Sequence, residues 1–236
     1  AALEQFNSSS YNSIGQSNVA NPDLKWEKTT SYNFGLDYSL FKNKIYGSID
    51  YYNKNTNNLL FQRPAIKPAP ASIFLLNHPA HLVNSGVEFS IVSTIVSNET
   101  FTLDAGFNIA YNKNWLKDFN QAPIPTAKVD GNGVSGALAQ RIANNQPVTE
   151  FYLKKFTGFD QSGLQIIADA PTYEGDPNPH VILGFNTSVH YKKLSLSLNA
   201  SGAFGYLIYN NTYNTITNIS QIQKGQNIFA DAINTK

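Results

Sequence analysis

The chain has 236 residues and a formal net charge of +1, and 14% of its residues are charged, against roughly 25% in an average soluble domain. No run of Lys and Arg is longer than a pair, which argues against nucleic-acid binding, and the lack of cysteine excludes disulfide frameworks, thiolate metal sites and thiol nucleophiles. No apolar run approaches the roughly 20 residues of a membrane-spanning helix, so a helical membrane protein is excluded. The opening AALEQFNSSS has no signal-peptide pattern, so we expect a processed or internal start.

Apolar and polar residues alternate along six segments, beginning with YNFGLDYSL at residues 32–40. There Tyr32, Phe34 and Leu36 share one face, while Asn33 and Asp37 lie on the other. A period of two predicts a β-strand with two chemically different sides. Short turns join the segments into three predicted hairpins: 32–40 with 45–51, 87–95 with 101–112, and 181–191 with 194–201. A seventh strand is predicted within residues 206–219.

The connections between the hairpins are much longer than the turns within them. They comprise residues 61–85 and the stretch 115–178, which is rich in Pro, Gly, Asn and Asp. Transmembrane barrels have this asymmetry of short turns at one end and long loops at the other. The predicted strands, of about 9 to 12 residues, have the length of a tilted membrane crossing, and their polar face is mostly small and uncharged, as in a wet lumen. We therefore predict an all-β fold, a transmembrane antiparallel β-barrel.

Tyrosines lie near the ends of the predicted strands. We interpret them as a girdle at the level of the lipid headgroups, although tyrosine also simply favours strands: Tyr32, Tyr38, Tyr51, Tyr52, Tyr111 and Tyr191. Six or seven strands cannot close a membrane barrel, which takes about eight, because an open edge in lipid leaves backbone groups unpaired. The chain therefore either pairs with other copies or is a piece of a larger barrel.

Four phrases, in order along residues 21–186, support the second alternative. The first two are NPDLKWEKT from Asn21 and DYYNKNT from Asp50; the others are NSGVE from Asn84 and GDPNP from Gly175 with GFN at 184–186. This ordered set resembles the SusC/RagA-like TonB-dependent transporters of Bacteroidetes outer membranes. Two departures are the segment NHPAHLV before Asn84, where the family usually has Asn-Ile-Gly, and the lack of a terminal aromatic strand after Ile219.

The resemblance implies that residues 1–236 are part of the C-terminal portion of a barrel of about 22 strands. The plug domain and the TonB box are absent from this chain. It further implies an outer-membrane location with long loops outside and short turns in the periplasm, and nutrient import rather than enzyme activity. The implied partners are a SusD-like surface lipoprotein, the TonB system acting through the plug, membrane lipid, and a glycan or oligopeptide ligand; no cofactor is implied. Two alternatives stay open: a structural or interaction barrel in another outer-membrane complex, and a soluble β-sandwich or lectin.

The histidines and loop carboxylates are candidate metal or catalytic groups. His78 and His81 form a His-x-x-His pair, but their loop supplies no carboxylate to complete a metal site, while His180 enters a strand and His190 lies on a polar face near a turn. The loop carboxylates would need to converge at a defined separation to act together, and solvated charges are the simpler interpretation: Asp160, Asp169, Glu174 and Asp176. We therefore predict no catalytic, cofactor-binding or metal-binding residue.

The remaining candidates belong to loops. Gly131, Gly133 and Gly136 do not match the dinucleotide fingerprint and indicate a flexible loop, and residues 135–144 are predicted to form a short helix. A further set combines amides with aromatic rings, as oligosaccharide and peptide sites do, although ordinary loop and girdle roles are the simpler interpretation: Asn77, Asn210, Asn211, Tyr206, Tyr209 and Tyr213. The ligand-binding residues remain unidentified from the sequence.

Overall fold

The computed structural model describes residues 3–8, 11–16, 18–66, 68–131, 134–161, 165–217 and 219–230. Its strands are β1 (Leu3–Ser8), β2 (Tyr11–Gln16), β3 (Asn18–Val19), β4 (Lys28–Leu40), β5 (Ile45–Asn57), β6 (Leu59–Pro64), β7 (Ile73–His78), β8 (His81–Ser97), β9 (Phe101–Lys117), β10 (Ile124–Gly131), β11 (Val134–Ile142), β12 (Phe151–Leu153), β13 (Phe156–Phe159), β14 (Gln165–Ile167), β15 (Thr172–Gly175), β16 (Val181–Tyr191) and β17 (Leu194–Phe204). A helix α1 (Asn211–Ile216) and a 3₁₀ helix (Ile219–Lys224) follow. No helix among the described residues is long and apolar enough to cross a membrane.

Six strands form one antiparallel sheet in the order β4-β5-β8-β9-β16-β17. All six predicted strands are present, and two of them, β8 and β9, extend to 17 residues each. Within the described residues, β4 and β17 have no further strand on their outer edges. Unpaired backbone along two long edges cannot lie in lipid, so this sheet is a segment of a larger barrel wall.

The outward face of the sheet is an exposed apolar band. Cross-strand registers place rows of apolar side chains side by side, one running Leu36-Ile49-Phe89-Ile109-Leu183. Many of these side chains are open to the surroundings, for example Phe34 at 69% and Leu194 at 71%. The band runs along β9 from Tyr111 to Phe101, a span of ten residue-to-residue steps or about 34 Å along the strand, and at a tilt of about 40° this gives a height of about 26 Å. That height matches the apolar band of an outer-membrane barrel, about 25 Å.

The opposite face is polar and contains glycines that make room for amide side chains. Asn108 lies across from Gly184, and Asn186 lies across from Gly106 on the same pair of strands. A methyl group on either glycine would clash with the facing amide, 2.7 Å from Asn186 Oδ1 in the case of Gly106. The GFN phrase at 184–186 therefore serves packing on the lumen-facing wall, because its Gly makes room for one amide side chain and its Asn fills the space over another glycine.

All long connections gather at one end of the sheet. The tight turns at 41–44, 98–100 and 192–193 lie at the other end, as predicted. At the long-connection end, β3-β7-β6, β10-β11-β12-β15 and β13-β14 form small sheets, which we call the cap. Leu59, Ala80, Leu116 and Phe119 form its core, and Leu82 packs against them. Because Leu82 and Leu116 share the register of the polar face, the cap core lies on the lumen side of the wall.

Two expectations from the sequence are wrong. Residues 135–144 do not form a helix, because β11 pairs with β10 over most of its length and this pairing overrides the helix preference of its Ala, Leu and Gln. Residues 206–217 and 219, the described part of the predicted seventh strand, do not form a strand. Gly205 has a positive φ of 73° and ends β17, and Asn210 then caps α1 by accepting a 2.8 Å hydrogen bond from the Tyr213 backbone N–H.

Candidate functional site

A groove of about 680 Å³ opens on the polar face where the sheet approaches the cap. Its walls carry amide, aromatic and charged side chains, among them Asn33, Asp50, Tyr52, Lys54, Asn84 and Glu88. A second cavity of about 340 Å³ adjoins it, shares Tyr52 and Asn84, and reaches Asp176 and His180. The two cavities form a continuous polar surface at the upper end of the lumen-facing wall, which we call the mouth groove.

Tyr52 organises the mouth groove from β5. Its ring lies on Gly86, where an added Cβ would come within 2.6 Å of the ring, and its hydroxyl donates a 2.7 Å hydrogen bond to Asn112 Oδ1. Lys54 Nζ lies over the same ring, 5.5 Å from its centroid. Beside them, Asn114 Nδ2 donates to Asn84 Oδ1 at 2.5 Å. Neighbouring strands thus hold these groups in fixed positions.

The GDPNP phrase ties the cap to the wall at the edge of the mouth groove. Gly175, with a φ of 127°, donates its N–H to Glu150 Oε1 at 2.6 Å. Asp176 is 3% exposed and accepts the Asn178 backbone N–H, and its other oxygen lies 3.9 Å from His180 Nε2. Burial raises the pKa of the Glu150 carboxyl, and the nearby Asp176 charge adds to this, while the Gly175 N–H opposes it. The junction is a buried polar network rather than a solvated loop.

The NPDLKWE phrase fastens another segment to the cap. Asn21 Nδ2 donates to the Leu75 carbonyl at 2.9 Å, and Glu27 Oε1 accepts the Leu60 N–H at 2.7 Å. Asn77 on β7 accepts the Lys25 N–H at 2.7 Å and donates to the Lys25 carbonyl at 2.8 Å. The polar residues of the phrase therefore have structural roles.

Comparison with known proteins identifies the family of the chain. The family described as TonB dependent receptor-like, beta-barrel, matches residues 2–201. The chain belongs to this family. TonB-dependent receptor P3 of Formosa agariphila is 30% identical over 234 residues, covering 85% of this chain and 23% of that protein. TonB-dependent receptor SusC of Bacteroides thetaiotaomicron is 25% identical over 232 residues, covering 89% and 22%.

Solved structures of the RagAB peptide transporter have the same fold. One aligns with a TM-score of 0.71 at 23% identity, covering 90% of this chain and 25% of that chain; another, of an open-open state, reaches 0.74. The chain spans about a quarter of the length of the relatives it matches. These matches confirm the resemblance to SusC/RagA-like TonB-dependent transporters and the all-β fold as a fragment of a larger barrel. Such receptor barrels are outer-membrane proteins.

In this TonB-dependent receptor barrel the histidines do not assemble a metal site. His78 is buried against Phe61 and Phe119, whereas His81 hydrogen-bonds Asn57 and lies 3.7 Å from Asp118, a carboxylate from another segment. His190 lies on the polar face, as predicted, 2.9 Å from Ser195 Oγ. In the part of the chain that is described, no three His, Asp or Glu residues gather closely enough to bind a metal ion.

The predicted loop carboxylates separate into two groups. Asp160 and Asp169 are exposed, whereas Asp176 is buried and Glu174 forms a 2.8 Å ion pair with Lys155. The Lys155 hydrogen bond, followed by that from Thr172, lowers the pKa of the Glu174 carboxyl. Sequence reasoning missed Glu150, because nothing local indicates that the chain brings it to Gly175, 25 residues away.

The amide and aromatic set is mostly structural. The Asn77 side chain forms hydrogen bonds within the cap, and the Asn210 side chain caps the N-terminus of helix α1. Asn211 Nδ2 donates to the Asp130 carbonyl at 2.7 Å. Tyr209 and Tyr213 contact the rings of Phe151 and Phe229, and Tyr206 is 37% exposed. Two of the glycines predicted to lie in a flexible loop are in strands instead: Gly131 ends β10 and Gly136 lies in β11, whereas Gly133 falls outside the described residues.

The tyrosine girdle needs one correction. Tyr32, Tyr51 and Tyr111 point outward at the end of the apolar band nearest the cap, which we call the cap border. Tyr191 points outward at the opposite end, near the tight turns, and Tyr38 lies within the band near those turns. Tyr52, in contrast, points into the lumen, since consecutive strand residues alternate. Trp26, 85% exposed, and Trp115, with Lys113 and Lys117 over its ring, lie beyond the cap border, where amphipathic rings suit a membrane interface.

Proposed function

We propose that the protein containing this chain imports a glycan- or peptide-type nutrient across the outer membrane in a TonB-dependent manner. In this proposal the chain supplies barrel strands and the cap over one sector of the lumen. One observation carries it: a sheet with a membrane-high apolar band outside and a polar face inside leads to a fixed polar groove beneath the cap. The match to the receptor family supports it.

The chemistry of the mouth groove supports a polar, chain-like cargo. An aromatic ring offers a stacking face, and amides and carboxylates offer both donors and acceptors, as in sugar and peptide sites. A similar solved structure is described as a peptide importer, which supports the peptide class. The groove serves in binding and passage, and we assign no catalytic step, metal or cofactor to it.

We further propose that all of residues 1–236 belong to the barrel domain and that a plug outside this chain couples it to the TonB system. A SusD-like surface lipoprotein is the proposed partner on the cap side, as the family resemblance implies. Membrane lipid is the proposed surrounding of the apolar band. The alternative, a barrel that acts only as a structural subunit of another outer-membrane complex, predicts no nutrient uptake.

The orientation that we propose has the tight turns in the periplasm and the cap outside. Single cysteines at Asn43 and Lys193, in the turns, and at Asp169, an exposed cap residue, test it on intact cells with a membrane-impermeant maleimide. Labelling of Asp169→Cys alone is expected, with all three labelled after lysis. Labelling of the turn positions on intact cells would reverse the orientation.

Uptake measurements test the function itself. Cells lacking the gene are complemented with the wild type or with an Asp50→Asn/Glu88→Gln variant, and uptake of labelled oligopeptide and oligosaccharide mixtures is followed with and without TonB. We expect TonB-dependent uptake of one cargo class, and reduced uptake for the groove variant at equal surface abundance. Uptake of neither class by wild-type cells would favour the structural-subunit alternative.

A further inference from the structure

A separate pocket of about 370 Å³ lies within the cap, between the β6–β7 hairpin and the segment that leads into β10. Its volume is near the lower end of the range for ligand pockets, about 300–1,000 Å³. Apolar side chains form its walls, and polar groups extend into it: Phe61, Leu76 and Ile124 with Arg63, His78 and Gln121. The size suits one residue of a chain-like ligand rather than an extended oligomer.

Three side chains of this pocket supply hydrogen-bond donors. Arg63 Nη2 donates to Gln121 Oε1 at 2.8 Å, a bond that leaves the Gln121 amide NH₂ unused. His78 Nδ1 accepts the Ala80 N–H at 3.0 Å, which places the ring proton on Nε2. No described group forms a hydrogen bond with that Nε2. The pocket therefore offers a guanidinium, an amide NH₂ and an imidazole N–H.

No compensating negative charge accompanies the guanidinium. Among the described residues that line the pocket there is no carboxylate, and no described Asp or Glu forms an ion pair with Arg63. Burial lowers the pKa of His78, and the charge of Arg63 lowers it further, so the imidazole is a neutral donor at physiological pH. The mouth groove differs, since Asp50 and Glu88 line it.

We infer that this pocket, through Arg63, Gln121 and His78, binds a carboxylate of the cargo. A guanidinium presents its N–H groups in a planar fork that matches the two oxygens of a carboxylate. The aromatic and aliphatic walls would contact the residue that bears the carboxylate. The carboxylate belongs either to a peptide, as its C-terminus or an acidic side chain, or to the uronic acid of a glycan. This inference rests on the proposed import function.

Binding to the purified full-length protein, with any subunit that co-purifies, tests the pocket. The probes are two matched pairs that differ in one charge: N-acetyl-trialanine against its C-terminal amide, and trigalacturonate against its methyl ester. We expect the acid of one pair to bind about tenfold or more tightly than its neutral partner. The pair that shows this ratio identifies the source of the carboxylate.

Two variants and a control make the test specific. Arg63→Gln removes the charge, and Gln121→Glu pairs Arg63 internally, so both should bring the acid-to-neutral ratio close to one. Arg141→Gln is the matched control and should keep the wild-type ratio. Arg141 lies 3.7 Å over the Tyr152 ring in the β10-β11-β12-β15 sheet of the cap. Heat-dependent migration on gels confirms that each barrel is folded.

The inference is wrong if wild-type protein binds acid and neutral probes equally, or binds neither, or if Arg63→Gln keeps the ratio. These outcomes are separate from failure of the import proposal. Carboxylate binding in vitro without uptake by cells would leave the pocket standing and remove the import function. Uptake by cells, together with an acid-to-neutral binding ratio that Arg63→Gln leaves unchanged, would keep the import function and remove the carboxylate pocket.

Discussion

Gly86→Ala tests the central packing relation of the mouth groove. An added Cβ would lie 2.6 Å from the Tyr111 carbonyl oxygen and 2.6 Å from Cε1 of Tyr52, and the first of these is backbone within the sheet and cannot move freely. Overpacking of this kind costs about 1–3 kcal/mol. Displacing the Tyr52 ring also breaks its 2.7 Å hydrogen bond to Asn112, at a cost of about 1 kcal/mol.

We therefore expect Gly86→Ala to lower the free energy of unfolding by about 2–4 kcal/mol. The assay is guanidinium unfolding of the full-length protein in lipid vesicles, followed by intrinsic fluorescence. Tyr52→Phe removes only the hydroxyl and should cost about 1 kcal/mol. In a Tyr52→Ala background the ring clash is gone, so Gly86→Ala should cost about 1–2 kcal/mol less than in the wild type.

The double-mutant cycle gives this reasoning a clear point of failure. If the costs of Gly86→Ala and Tyr52→Ala are additive, the position of the Tyr52 ring does not depend on the absence of a side chain at residue 86. The groove is then not organised as described. A wild-type unfolding midpoint for Gly86→Ala would contradict both the ring contact and the backbone contact.

Three further predictions concern the wall, the junction and the cap. Leu198→Lys on the apolar face should cost about 2–4 kcal/mol and reduce membrane assembly, whereas Asn199→Lys, its neighbour on the lumen face, should have little effect; equal yields of folded barrel would contradict the assignment of faces. Because burial raises the pKa of Glu150, the folded protein holds this proton where the unfolded chain has lost it, so stability falls as pH rises from about 4.5 through the raised pKa. Glu150→Gln should flatten this slope in unfolding midpoints between pH 4 and 8, and an unchanged slope would assign it to other groups. Asn77→Ala removes both hydrogen bonds to Lys25 and should cost about 1–3 kcal/mol, seen as faster proteolysis of residues 21–27; an unchanged rate would mean that other contacts hold the segment.

The barrel wall could be predicted from the sequence because its environment differs across the sheet. Lipid on one side and water on the other impose a strict alternation over ten or more residues, as at residues 181–191. The same rule separates adjacent side chains such as Tyr51 and Tyr52, so applying it residue by residue would have placed Tyr52 in the lumen. Tyr52 was wrongly predicted to belong to the girdle because a tyrosine near a strand end was assigned to the lipid side without regard to the alternation of the strand.

The cap could not be predicted, since its strands are too short to show a period. Strand β12 has three residues and pairs with β15, which follows β13 and β14 in the chain. The groups that form its sites, such as Arg63 with Gln121, are 58 residues apart and meet only through the folding of two loops. A charged residue in a Pro-rich connection gives no local sign of a pocket.

Rigid attachment of the cap to the wall constrains how cargo is captured. Strand β9 continues for six residues beyond Tyr111, about 20 Å along the strand, to Lys117, and its penultimate residue Leu116 is buried in the cap core. The Leu116 N–H donates to the Gln146 carbonyl at 2.9 Å, and its carbonyl accepts the Asn145 N–H at 2.7 Å, so cap and wall share backbone hydrogen bonds as well as a core. A lid motion here would have to break both. If the protein imports a cargo as proposed, we therefore expect closure over it to come from an element outside this sheet and cap.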